Sequence, residues 1–182
     1  MVMAGGKPVN GVALFENTTG TPAKKVTRKL GHTEYSETAI FADFDRDSQS
    51  DLLLRERTVG RKLGRSLQLV PRTDSAIMKV VWQGSTQTAY HGFEFNDVDN
   101  DGDMDVVAAD YGRGGNIAVY LNEGGKLADK PAWSVKRSGP AHEAVLGDID
   151  QDGDLDLAVG CQDQAHIYEN LTPRTSQTPK RK

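Results

Sequence analysis

Asp97-Val98-Asp99-Asn100-Asp101-Gly102-Asp103-Met104-Asp105 places a carboxylate at every second position of a short stretch, with one glycine inside it. The pattern returns as Asp148-Ile149-Asp150-Gln151-Asp152-Gly153-Asp154-Leu155-Asp156. It returns less faithfully as Asp43-Phe44-Asp45-Arg46-Asp47-Ser48-Gln49-Ser50-Asp51. The starts fall at 43, 97 and 148, a spacing of roughly 50 residues that other positions share: His91 with His142, Trp82 with Trp133, and Asn122 with Asn170. The repeating unit is therefore much longer than its acidic part.

Each acidic stretch lies between two apolar runs. Ala39-Ile40-Phe41 precedes the first and Leu52-Leu53-Leu54 follows it; Val106-Val107-Ala108-Ala109 follows the second; Ala144-Val145-Leu146 and Leu157-Ala158-Val159 flank the third. Runs this short beside turns favour buried strands over helices. The expected unit is a hairpin with the acidic loop at its tip, a third strand over Ile117-Ala118-Val119-Tyr120-Leu121, and a weaker fourth over Ala132-Trp133-Ser134-Val135. Four strands in about 50 residues is the period of a propeller blade. The predicted fold is all-β, a partial β-propeller of about three to four blades, each a four-stranded antiparallel repeat.

The start of the chain fits the same register, because Val2-Met3-Ala4-Gly5 resembles 106–109 and Val12-Ala13-Leu14-Phe15-Glu16-Asn17 resembles 165–170. The expected division is a partial blade over 1–30, blades over 31–84 and 85–138, a partial blade over 139–171, and a disordered basic tail over 172–182.

Charge is segregated in the same way. Of 26 acidic residues, 14 lie in the three acidic stretches beside a single base, Arg46, although the whole 182-residue chain carries a net charge of only -4. Carboxylates a few ångströms apart repel unless a cation neutralises them. Other classes are excluded more simply. No apolar run approaches the roughly 18 residues of a membrane span, and Met1 to Gly6 does not read as a signal peptide. The single cysteine, Cys161, rules out an intrachain disulfide and a cysteine-based zinc site. Lys180-Arg181-Lys182 reads as a solubilising end, and no nucleic-acid partner is expected.

Asp at loop positions 1, 3, 5 and 9, with glycine at position 6 to turn the chain, gathers hard oxygen donors around one point. Calcium takes about 6–8 such oxygens, whereas magnesium demands a stiffer octahedron and keeps its waters. The expected ligands in the second loop are the side chains of Asp97, Asp99, Asp101 and Asp105, with the carbonyl of Asp103. In the third they are Asp148, Asp150, Asp152 and Asp156, with the carbonyl of Asp154. The first loop offers Asp43, Asp45, Asp47 and Asp51, but has Gln49 at position 7 and Ser48 at position 6, which predicts a third, weaker Ca2+ site. A helix-loop-helix calcium hand would need a bidentate Glu at position 12. That position holds Leu54, Ala108 and Val159.

These units, followed by Val119-Tyr120-Leu121-Asn122-Glu123-Gly124-Gly125, resemble the FG-GAP/VCBS repeat family known from integrin alpha-subunit propellers and many secreted bacterial proteins. The resemblance implies a calcium loop between the first two strands of each blade. It also implies an extracellular or cell-surface setting and an adhesive or ligand-binding role toward a protein or carbohydrate. The family commonly closes seven blades, so homo-oligomerisation or the missing blades of a longer parent chain are expected. The expected function is a non-catalytic scaffold, since no nucleophile is assembled in the sequence. The alternative is a propeller-based hydrolase or lyase drawing on His91, His142, Glu94 and Glu143. Both histidines lie well before an acidic loop and read as structural groups at the strand entrance, Trp82 and Trp133 as packing groups, and Cys161 as a buried thiol. Asn17 and Asn170 match the glycosylation acceptor pattern, but their recurrence with Asn122 favours a strand-ending role.

Overall fold

Short apolar runs separated by polar turns cannot bury themselves in isolation, so they pair into sheets and the sheets stack. The computed structural model describes residues 2–5, 11–17, 20–21, 24–25, 28–30, 36–57, 65–70, 82–83, 90–112, 115–137, 139–162 and 164–171. The expected tail over 172–182 lies outside these. All regular structure among the described residues is strand. The first sheet holds β1 (Val2–Gly5), β2 (Gly11–Leu14) and β3 (Arg28–Leu30). The second holds β4 (Ser36–Ala42), β5 (Asp51–Arg57), β6 (Arg65–Val70) and β7 (Trp82–Gln83). The third holds β8 (Tyr90–Asn96), β9 (Asp105–Asp110), β10 (Ile117–Tyr120) and β11 (Trp133–Val135), and the fourth β12 (Ala141–Gly147), β13 (Asp156–Cys161) and β14 (Ala165–Tyr168). Every sheet is an antiparallel meander in chain order.

The third sheet is covered on both faces, which explains why β9 is buried at every residue. Side chains alternate across a strand. Val106 and Ala108 of β9 therefore join Leu53 and Leu69 of the second sheet, and Phe44 from the loop between β4 and β5, in one core with Tyr90, Phe93 and Tyr120. Val107 and Ala109 face the other way and join Ala141, Ala144, Leu157 and Val159 of the fourth sheet. The tyrosine hydroxyls of Tyr90 and Tyr120 satisfy each other inside the first core at 2.7 Å. At Gly92 the third and fourth sheets meet backbone to backbone, since a Cβ there would lie 2.6 Å from Glu143 Cα and 2.8 Å from the His142 carbonyl oxygen.

The first strand of the second, third and fourth sheets slips register at the same place, between Ser36 and Thr38, Tyr90 and Gly92, and Ala141 and Glu143. His91 and His142 are the residues left over by the slips in β8 and β12, which gives them the local role at the strand entrance that their spacing implies.

Among the described residues the fourth sheet is covered on one face only. Val145 pairs with Ala158 and Ala158 with Ile167. Val145 and Ile167 stand 54% and 57% exposed, whereas Val107 and Val119, the third-sheet counterparts of Ala158 and Ile167, are buried against the fourth.

Candidate metal centres

The three acidic loops join β4 to β5, β8 to β9 and β12 to β13, and they turn by one backbone recipe. Positions 4 and 6 are left-handed in each: Arg46 (φ 60°) and Ser48 (66°), Asn100 (61°) and Gly102 (92°), Gln151 (62°) and Gly153 (92°). Glycine adopts this conformation freely and an L side chain pays for it. Ser48 is thus strained at the position where the other loops carry glycine, the physical basis for expecting the first loop to be weakest.

Hydrogen bonds repeat with the same fidelity. The carboxylate at position 3 accepts from the amide at position 5, at 3.2 Å (Asp45 from Asp47), 3.2 Å (Asp99 from Asp101) and 3.1 Å (Asp150 from Asp152). Position 5 accepts from the amide at position 7, at 2.7, 2.7 and 2.8 Å. Position 1 accepts from the amide at position 6 in two loops, Asp43 from Ser48 at 3.1 Å and Asp97 from Gly102 at 2.8 Å. These turns hold the carboxylates in place and leave a second oxygen on several of them available.

At position 9 the aspartate closes the hairpin. Asp51, Asp105 and Asp156 accept the position-2 amides of Phe44, Val98 and Ile149 at 2.9, 2.8 and 2.9 Å. Asp105 and Asp156 also accept the amides of Asn122 and Asn170, the residues just after the third strand, at 2.8 and 2.9 Å. Asp105 and Asp156 nevertheless titrate in opposite directions. Burial in the twice-covered sheet pushes Asp105 up to about 6 against the pull of its two amide donors, while the amides of Asn170 and Ile149 hold Asp156 below the usual carboxylate range in the once-covered sheet. Burial, followed by the neighbouring Asp101 charge, raises Asp99.

Oxygens of Asp43, Asp45 and Asp51 come within 4.8 Å of one another, as do those of Asp97, Asp99 and Asp101, and of Asp148, Asp150 and Asp156. Positions 1 and 3 therefore converge in all three loops, position 5 in the second, and position 9 in the first and third. Asp47, Asp105 and Asp152 stand outside these groups, as do Asp103 and Asp154 at position 7. The donor set fits a hard cation: it is all oxygen, and Oδ1 of Asp43 and of Asp97 are buried without a hydrogen-bond partner.

Two features escaped the sequence reading. The left-handed position 4 has no glycine to announce it, and the loops touch their neighbours. Asp103 and Asp154 are 6% and 3% exposed because their carboxylates turn inward. Asp103 accepts the Gly124 amide at 2.7 Å, and Asp154 accepts the Asn100 side-chain amide at 2.9 Å.

His91 and His142 are brought together at the other end of the strands, with ring centroids 5.8 Å apart and Tyr111 packed at 5.2 and 4.8 Å. His91 Nδ1 lies 2.9 Å from the His142 carbonyl and so carries the hydrogen of that bond. Glu94 accepts the Leu146 amide at 2.6 Å, which ties the third sheet to the fourth. Cys161 is half-buried rather than buried. Trp133 packs edge-on against Tyr168 at 5.4 Å while remaining 40% exposed; the side chain of Trp82 lies outside the described residues. The Asn170 side-chain amide donates to Val98 and Leu155, in keeping with a strand-ending role.

Among the described residues no helix is long and apolar enough to cross a membrane. Residues 97–159 match the FG-GAP-like repeat family. The chain is 31% identical to integrin alpha-7 of Mus musculus over 160 aligned residues, which take in 76% of this chain and 13% of that protein. It is likewise 31% identical to integrin alpha-7 of Rattus norvegicus over 160 residues, 76% of this chain and 14% of that protein. The chain thus spans only 13–14% of the length of these curated relatives. Taken with the sheets and loops above, residues 97–159 match an FG-GAP-like repeat and lie within a partial, all-β propeller.

Proposed function

We propose that the chain is a calcium-stabilised segment of β-propeller that serves as a non-catalytic binding scaffold outside the cell or at its surface. The observation that carries the reading is the threefold recurrence of one loop geometry, with the same two left-handed residues and the same converging carboxylates. Asp97, Asp99 and Asp101 would hold one ion and Asp148, Asp150 and Asp156 another, with the Asp103 and Asp154 carbonyls, Asp105 and Asp152 completing the shells. Asp43, Asp45, Asp47 and Asp51 would hold a third more weakly, with Gln49 at the position of Asp103. When bound, the ion supplies charge neutralisation and a cross-link between the ends of a hairpin. Modest-affinity loops of this kind fill at extracellular calcium levels. Similarity to integrin alpha-7 supports an adhesive role toward a protein ligand. The proposed blades are 31–84 and 85–138, flanked by partial blades over 1–30 and 139–171. The engagement of Glu94 by the Leu146 amide favours a seam over a catalytic group.

Calorimetric titration with calcium tests this directly. Two tight sites and one weaker site are expected, with Asp148→Ala removing a tight one and Asp43→Ala the weak one. Loss of more affinity from Asp43→Ala than from Asp148→Ala would overturn the ranking. Ser48→Gly should tighten the weak site about fivefold, since it relieves strain of about 1 kcal/mol.

The open face of the fourth sheet makes a further prediction. Val145, Ile149 and Ile167 are 54%, 56% and 57% exposed, and exposed apolar surface beside a strand edge favours association. The 182-residue chain should therefore self-associate, its mass by light scattering rising with concentration. A strictly monomeric particle at all concentrations would contradict this.

A further inference from the structure

The two seams on which neighbouring loops meet use the same device. Arg46, at position 4 of the first loop, reaches across to positions 5, 6 and 7 of the second. Its Nη2 donates to the Asp101 carbonyl at 3.1 Å, its Nε donates to the Gly102 carbonyl at 3.0 Å, and the same Nε lies 2.7 Å from Asp103 Oδ1. Asn100, at position 4 of the second loop, reaches position 7 of the third, donating to Asp154 at 2.9 Å. Behind each reach lies a return bond. Asn122 of the third sheet donates to the Phe44 carbonyl at position 2 of the first loop, and Asn170 of the fourth sheet donates to the Val98 carbonyl at position 2 of the second. A side chain at Gly102 would run into the Arg46 guanidinium, and a Cβ at Gly125 would lie 2.7 Å from Asp45 Cβ, so the fit at the first seam is close on both sides.

We propose that the position-4 side chain is a coupling element that makes calcium binding in one loop strengthen binding in the next, Arg46 linking the first loop to the second and Asn100 the second to the third. This rests on the calcium reading of the loops. Residue 46 stands between Asp45 and Asp47 and is held at φ 60°. An ion gathered by those carboxylates fixes the backbone from which the Arg46 side chain departs. That side chain in turn holds the segment carrying Asp101 and Asp103, so a filled first loop presents the donors of the second already arranged. Linkage makes the effect reciprocal: a filled second loop must favour the first by the same factor. Arg46 is a positioning residue and contacts no ion itself. With 53% of its side chain exposed, its replacement opens no core.

The test is a double-mutant cycle read by calorimetry, with second-loop binding identified as the heat that Asp97→Asn removes. Disabling the first loop with Asp43→Asn and Asp45→Asn together should weaken second-loop binding about fivefold, at the low end of measured site-to-site couplings. In an Arg46→Ala background the same disabling should change it by less than about twofold. Arg46→Ala should also speed hydrogen exchange at the amides of residues 101–105 in calcium-free protein, a readout that needs no ion. Asn100→Ala should uncouple the second loop from the third and serves as an independent variant at the other seam. Second-loop binding that ignores the state of the first loop in both backgrounds overturns the coupling. So does binding that strengthens on Arg46→Ala whatever the first loop holds, which would make the guanidinium only a repelling charge. Absence of calcium heat in the unmodified chain overturns the proposed function together with the coupling.

Discussion

Chelating calcium from the loaded protein should lower its melting temperature by about 10–20 °C, because two sites at hundredfold excess over Kd each contribute about 2.7 kcal/mol and about 1 kcal/mol moves a chain of this size by 2–4 °C. The size of the effect follows from the loops. Each gathers at least three carboxylates whose oxygens lie within 4.8 Å of one another, and without a cation their mutual repulsion acts on the hairpin that joins two core strands. In the second and third loops that hairpin is also tied to the third strand through Asp105 with Asn122 and Asp156 with Asn170. Loosening a loop therefore loosens three strands. Scanning calorimetry of verified calcium-loaded and chelated samples makes the comparison, and an unchanged transition would count against structural cation sites.

Asn122→Ala should destabilise the protein by about 3 kcal/mol, against about 1 kcal/mol for Asn170→Ala. The two asparagines make the same bonds at successive repeats. Asn122 Nδ2 donates to the Phe44 and Met104 carbonyls at 2.9 and 3.2 Å, and Asn170 Nδ2 to the Val98 and Leu155 carbonyls at 3.1 and 3.3 Å. What differs is solvent. Asn122 is 0% exposed, so its loss deprives two carbonyls of a donor that water cannot replace and leaves a void. Asn170 sits half-buried beside the open face of the fourth sheet, where water can substitute. Urea unfolding of both variants measures the difference, and equal losses would contradict it.

The strand pattern was legible because the apolar runs are short and bounded by the acidic loops. Leu52 to Leu54 and Val106 to Ala109 could hardly be anything else beside such turns. Periodicity also exposed Asn122 and Asn170 as strand-ending residues, though not the carbonyls of the preceding loop that they bind, because a contact between repeats leaves no spacing signal within one. The same limit hid Arg46. In the sequence it is an odd base in an acidic loop, and only the folded seam shows it against Asp101, Gly102 and Asp103. Position 7 is expected from the sequence to offer only its carbonyl in the second and third loops, and what stays hidden there is the job of the Asp103 and Asp154 side chains, which turn away from the converging oxygens and are buried against their neighbours. The role of His91 and His142 was half legible: their spacing marked them as parts of the repeat, while the register slips that place them and the tyrosine between them needed the fold.

The central claim is that the loops hold calcium, and anomalous X-ray scattering from crystals grown with calcium tests it most directly. The account predicts strong peaks among Asp97, Asp99 and Asp101 and among Asp148, Asp150 and Asp156, with a weaker peak among Asp43, Asp45 and Asp51. Well-ordered loops without such peaks, or calcium bound elsewhere on the chain instead, would contradict it.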